Sequence, residues 1–164
     1  MSQIPSKITA LINEQIHLEL SSHTAYLAMA AFFERGAFKG FAHWMRAQAT
    51  EEHAHAMKFF DYLVSRNANV ILESIGAPKT EFKLPLEVFK FALKREELVS
   101  KSINAIYEAA SDCKDYATLE MLNWFLKEQV EEEDTTNEMI DRIALAGADS
   151  AALLQLDHEA GERK

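Results

Sequence analysis

The sequence predicts an all-α protein: a four-helix bundle with one long crossover between its second and third helices and a short fifth helix at the end. Three observations carry that expectation. The 164 residues hold only 5 glycines and 3 prolines, too few breakers for the many turns of an all-β chain. Four long segments repeat apolar residues in steps of three and four, the period of a helix with one packed face. Two of the connections are short and one is long. The length suits one domain spanning 1–164, with no internal repeat and no low-complexity run.

The first helix is expected over about 5–34, with Ile8, Ile12, Ile16, Tyr26, Ala30 and Phe33 on one face. It stops at Arg35-Gly36. The second, about 38–66, carries Phe41, Met45, Phe59 and Tyr62. Seventeen residues follow, Asn67 to Lys83, with Gly76 and Pro78 among them. The third, about 84–111, opens at Leu84-Pro85, since a first helical turn tolerates proline. Its stripe is Phe89, Leu93, Ile103, Tyr107 and Ala110. After the turn Asp112-Cys113-Lys114, the fourth runs over about 115–146 with Leu122, Phe125, Met139 and Ile143, and stops at Gly147. A fifth, short helix covers about 150–159.

The short connections make helices one and two, and three and four, antiparallel hairpins. A helix of 29 residues is about 44 Å long. Seventeen extended residues reach at most about 60 Å, so the middle connection can run back along the whole bundle. A flexible insert between two separate hairpins is the other reading of those lengths.

Composition narrows function. Hydrophobic residues are 48% and charged residues 26%, neither a disordered nor a membrane pattern. A net charge of −9 repels phosphate and excludes general nucleic-acid binding, while favouring cations, metal ions included. No stretch approaches the roughly 18 apolar residues of a membrane span. The opening MSQIPSKITALINEQIH has no apolar core of a secretory signal. The single Cys113 excludes an internal disulfide and any four-cysteine zinc or iron–sulfur site. A cytoplasmic protein with no membrane partner is expected.

Each stripe is interrupted at its middle by polar residues. The interrupting acids are Glu19, Glu52, Glu96 and Glu132, close to the midpoint of each long segment. Antiparallel helices of similar length bring their midpoints to one height. The four carboxylates, with His55 and Gln129, should therefore converge inside the core. Unpaired buried carboxylates are costly and repel one another. Protonation could relieve one or two, and no Lys or Arg stands in the stripes at this level. Two divalent ions would neutralise four carboxylates, and oxygen ligands with one imidazole suit iron or manganese better than zinc. Glu52-x-x-His55 and Gln129-x-x-Glu132 each place two groups on one helix face. One such Glu alone is usually a boundary residue reaching solvent; the joint pattern carries the inference.

At these residues the sequence resembles the non-haem bacterial ferritins. The resemblance covers essentially the whole chain. It is carried by Asn13-Glu14-Gln15 and Leu18-Glu19-Leu20, by Glu51-Glu52-His53-Ala54-His55, by Lys94-Arg95-Glu96-Glu97-Leu98, and by the run from Asn123 to Glu133. It implies a ferritin-like bundle with a ferroxidase centre. One iron would be held by Glu19, Glu52 and His55, with Glu52 bridging, and the second by Glu96, Glu132 and the nearby Gln129. Glu51, Glu128 and Glu131 match the family's third iron site. Tyr26 falls where the family has a tyrosine beside the centre and is the candidate catalytic side chain. Without the resemblance, Tyr26 reads equally as core, and Glu51, Glu128 and Glu131 read as surface acids.

The family further implies Fe2+ oxidation by dioxygen or hydrogen peroxide, storage as ferric oxyhydroxide, and a homo-oligomeric shell of twenty-four subunits. Departures from neighbouring families sharpen this. Bacterioferritins carry an acid and a histidine where this chain has Gln129 and Glu132, and their haem methionine falls on His53, so no haem is expected. The acidic pair of the animal ferritin three-fold channel falls on Leu119 and Leu122, which leaves the iron entry route open. A di-iron oxidase or oxygenase acting on an organic substrate, without mineral storage, is the rival class. It would need an apolar pocket beside the metals, and the large residues flanking the acids leave no obvious room for one. A metal-free interaction bundle is a third class, opposed by the four central acids.

Overall fold

The computed structural model describes residues 3–163. Five helices follow one another: α1 Ser6–Glu34, α2 Lys39–Ser65, α3 Pro85–Asp112, α4 Tyr116–Ala146 and α5 Ser150–Ala160. No strand occurs among the described residues. α1 packs along α2, α3 along α4, and α1 beside α3, while α5 lies across α2 and the end of α4. This is the predicted four-helix bundle with a crossover and a fifth helix.

Local chemistry explains the boundaries. Pro85 occupies the first turn of α3, where its missing N–H leaves no helical bond unmade. Asp115 caps α4, accepting from the Thr118 hydroxyl at 2.9 Å. Arg66 grips the same carboxylate through two bonds of 3.1 and 3.2 Å, which ties the end of α2 to the start of α4. Gly147 ends α4 at φ 57°, a left-handed conformation that glycine adopts without strain. Asp149 caps α5 through the Ala151 and Ala152 N–H groups.

The long connection is a docked crossover, which settles the alternative of a loose insert. Asn13 donates to the Asn69 carbonyl at 3.0 Å and accepts from the Ile71 N–H at 2.7 Å. Phe82, near its far end, is buried against Phe32 and Phe91.

α5 is seated with equal precision. The Phe41 N–H at the start of α2 donates to Asp157 Oδ1 at 2.7 Å. A Cβ at Gly40 would stand 1.6 Å from the Asp157 carbonyl oxygen. Only glycine permits α5 to approach α2 so closely.

The interior falls into two apolar clusters. One gathers Met29, Phe33, Phe41, Met45 and Phe89 at the α5 end of the bundle, with Tyr26 at its inner edge. The other gathers Ile8, Ile12, Ile16, Phe59, Ile103, Leu122 and Phe125 at the opposite end. Gln15, Glu19, Ser22, Gln48, Glu52, His55, Glu96, Gln129, Glu132 and Thr136 are buried as well, and they form the polar layer between the clusters.

Two stripes differ from expectation. On α3 the buried residues include Val88, Ala92, Val99 and Ile106, while Leu93, Ser100 and Tyr107 are half-buried. On α2 Leu63 is buried and Tyr62 only half-buried. A helix has 3.6 residues per turn, so a stripe counted in sevens drifts by about 20° per repeat and can select the neighbouring row.

Candidate metal centre

Each long helix delivers one carboxylate to the polar layer: Glu19 from α1, Glu52 from α2, Glu96 from α3 and Glu132 from α4. Glu19, Glu52 and Glu96 are fully buried, and Glu132 is 6% exposed. Glu52 and His55 stand one turn apart on α2, with His55 Nδ1 3.7 Å from Glu52 Oε1. Ligand atoms of Glu19, Glu52 and His55 all lie within 4.8 Å of one another. A second grouping at the same spacing joins His55, Glu128 and Glu132.

Glu96 enters neither grouping and is held separately. The Tyr26 hydroxyl donates to its Oε1, and Gln129 Nε2 donates to its Oε2 at 3.2 Å. The structure thus brings Tyr26, Glu96 and Gln129 together. Glu132 turns toward Gln48, whose Nε2 donates to it at 2.7 Å. Glu128, expected with the outer acids, reaches inward, its Oε1 3.9 Å from His55 Nε2. Glu51 and Glu128 are half-buried and Glu131 is exposed. Glu51 is engaged by Arg163 at 2.8 Å.

Sequence reasoning missed two glutamines. Gln15 Nε2 donates to Glu19 Oε1 at 2.7 Å, and Gln48 does the same for Glu132. With Gln129 on Glu96, three of the four central carboxylates are each steadied by an amide. The available signal was position: Gln48 interrupts the α2 stripe one turn before Glu52, and Gln15 precedes Glu19 by four residues.

The electrostatics follow from burial without counter-ions. Burial pushes Glu19 up to about 7, against the stabilising bond from Gln15. Glu132 is pushed up to about 8, by burial first and the Glu96 charge second. Glu52 is driven well above the carboxylate range by burial, then by Glu96 and Glu19. Glu96 also rises through burial. Burial lowers His55 to about 4, helped by Lys58, so its imidazole is neutral and able to ligate a metal at physiological pH. Arg95 offsets only part of the rise at Glu19 and Glu96, its guanidinium being bonded to the Ser21 and Ser22 hydroxyls.

Several buried polar atoms in the layer have no hydrogen-bond partner. They include both Glu52 carboxylate oxygens, Glu19 Oε2, His55 Nδ1 and the Gln129 amide oxygen. Orphaned buried acceptors are rare, because each forfeits its solvation. A divalent cation would satisfy several at once and lift the carboxylate repulsion. Oxygen-rich donors with one imidazole fit iron.

A four-helix bundle that buries such an acid–histidine layer defines a carboxylate metal-binding protein of the ferritin-like class. Comparison with known proteins agrees. The Ferritin-like domain model matches residues 9–146. The "Bacterial non-heme ferritin" of Bacteroides fragilis (strain 638R) is 40% identical over 160 residues, covering 98% of this chain and 99% of that protein. The protein of the same name from Staphylococcus epidermidis (strain ATCC 35984) is 40% identical over 98% of this chain and 96% of its own. Among solved structures, a "novel open pore ferritin" from Archaeoglobus fulgidus superposes with a TM-score of 0.98 at 39% identity over the full length of both chains. The chain belongs to the ferritin family, and iron storage is the function its relatives support.

Proposed function

We propose that this protein is a ferroxidase that stores the iron it oxidises. Fe2+ is its substrate. Glu19, Glu52 and His55 take one ion, and Glu96 and Glu132 a second, with Glu52 between them and Gln129 alongside. Two Fe2+ each give up one electron. One dioxygen takes both electrons with two protons and leaves as hydrogen peroxide; alternatively, peroxide takes them and leaves as water. The ferric product mineralises as oxyhydroxide inside a shell of identical subunits, for which the family's twenty-four is the expected number.

The observation that carries this reading is the layer of orphaned carboxylate oxygens between two apolar clusters. The side chains have defined work in it. Carboxyl groups that hold protons when metal-free release them as cations bind. The neutral imidazole of His55 donates a lone pair. Tyr26 holds Glu96 from one side and Gln129 from the other, which fixes the far ligand before iron arrives. Glu51, Glu128 and Glu131 form an outer cluster for a third iron on its way to or from the centre. The open cleft beside Gln129 mixes Ile103, Leu126 and Val130 with Asn104, Glu133, Asp134 and Asn137; the full-length similarity to ferritins, and not this cleft, favours storage over an organic-substrate oxygenase.

Aerobic addition of Fe2+, many equivalents per chain, followed by sizing and iron analysis of the particles, tests the proposal. Large particles that retain far more iron than their side chains can ligate are the expected result. A monomer or dimer that keeps a few ions while the rest precipitates overturns storage.

A further inference from the structure

The strongest feature outside the central layer is an arginine at the end of the chain. Arg163 Nη2 lies 2.8 Å from Glu51 Oε2. Its guanidinium is stacked over the Trp44 ring, 4.7 Å from the centroid. Its carbonyl oxygen is 2.6 Å from His43 Nε2. Two side-chain contacts, to a carboxylate and an aromatic face, and one backbone contact, to an imidazole, thus set this residue against α2. The approach of α5 at Gly40 and the Asp157 bond to the Phe41 N–H bring the chain end to this place.

Glu51 also belongs to the outer acid cluster. It stands close enough to Glu128 for its charge to be felt there, together with that of Glu131. Neither Glu128 nor Glu131 forms an ion pair with lysine or arginine among the described residues. The Lys58 charge is felt at Glu128, and Arg163 makes the one direct lysine or arginine ion pair to these three acids among the described residues. A guanidinium keeps its charge at every physiological pH, so only another cation can replace it there. The pair is partly solvated, 23% and 39% exposed, and such pairs hold weakly.

We propose that Arg163 is a built-in counter-cation that competes with iron for the outer cluster. In the iron-free chain it neutralises Glu51. An ion that settles among Glu51, Glu128 and Glu131 displaces it and frees the chain end from Trp44. The outer position therefore fills after the buried ones, none of which makes a direct ion pair with lysine or arginine among the described residues, and its filling is signalled by release of the tail. This rests on the third-iron reading given above.

Anaerobic calorimetric titration of the assembled apoprotein with Fe2+ tests it, in wild type, Arg163→Ala, Arg163→Lys and Glu51→Gln. The weakest class of ions should tighten about two- to fivefold in Arg163→Ala, stay near wild type in Arg163→Lys, and vanish in Glu51→Gln. The tighter classes should move less than the weakest with either Arg163 variant, since the Arg163 charge also reaches Glu132. Trp44 emission, read in a Trp124→Phe background, should change only as the weakest class fills. A weak class that depends on Glu51 but is unchanged in Arg163→Ala overturns the competition alone. A weak class missing from wild type and Arg163→Ala alike overturns the third site, and the competition with it. A loss confined to thermal stability, with all constants unchanged, marks Arg163 as merely structural and overturns the proposal.

Discussion

At the scale of single residues, the centre is a set of carboxylates held apart from solvent and lightly steadied by amides. Gln48 donates a hydrogen bond to Glu132 and to no other central carboxylate. Groups that orient a metal ligand typically matter about 10- to 100-fold in metal affinity or activity. Gln48→Leu should therefore slow rapid Fe2+ oxidation about tenfold while leaving the fold intact, as stopped-flow absorbance and circular dichroism would show. Glu52→Ala should remove rapid oxidation and leave assembly unchanged; persistence of the fast phase would mean the centre lies elsewhere.

The raised carboxylates carry a pH signature with a definite sign. Glu132 titrates at about 8 in the fold against an ordinary 4.5. Between those values the folded chain holds a proton that the unfolded chain has lost. This group's stabilising contribution is whole below about pH 4.5 and declines as pH rises toward 8. Metal-free Glu132→Gln should thus melt above wild type by a margin that grows from about pH 5 to pH 8, a few kcal/mol at the top of the range. Bound divalent ions should erase the wild-type decline.

The placement of Glu19, Glu52, Glu96 and Glu132 was legible in the sequence because an acid in an apolar stripe at mid-helix has few bland readings. Gln15 and Gln48 were not, because an uncharged amide in a stripe is unremarkable until its partner is known. The Arg163–Glu51 pair was illegible for a different reason. Its members are 112 residues apart, and only the angle of α5 brings them together.

At the scale of elements, two contacts determine how the helices meet. Gly40→Ala drives a methyl into the Asp157 carbonyl and should lift α5 from α2. Limited proteolysis at the chain end, with a lower melting temperature, would report it. Asn13→Ala removes the two bonds that pin the crossover to α1 and should cost about 1–3 kcal/mol in chemical denaturation. The hairpins and crossover were readable from connection lengths, since chain reach is simple geometry. The rotation of α3 was not. Adjacent rows of its face are both apolar enough to pack, and only contact with α1 and α4 selects Val99 and Ile106 over Leu93 and Tyr107.

At the scale of the whole molecule, the net charge of −9 has a specific location. Glu19, Glu52, Glu96 and Glu132 lie in the core, and Glu51 and Glu128 line its edge, with Glu131 exposed beside them. Much of the excess acid is thus a candidate ligand set. No helix among the described residues is long and apolar enough to cross a membrane. The two apolar clusters stabilise the bundle from both ends, so the layer between them can remain polar and poorly satisfied. That division of labour accounts for a stable fold with an unstable centre, which a bound cation completes.

The most direct measurement is the anomalous scattering of crystals soaked anaerobically in Fe2+. Two iron peaks per chain are expected in the buried layer, about 3.5–4 Å apart, one among Glu19, Glu52 and His55 and the other between Glu96 and Glu132. Iron found only on surface acids, with the buried layer empty, would contradict this placement.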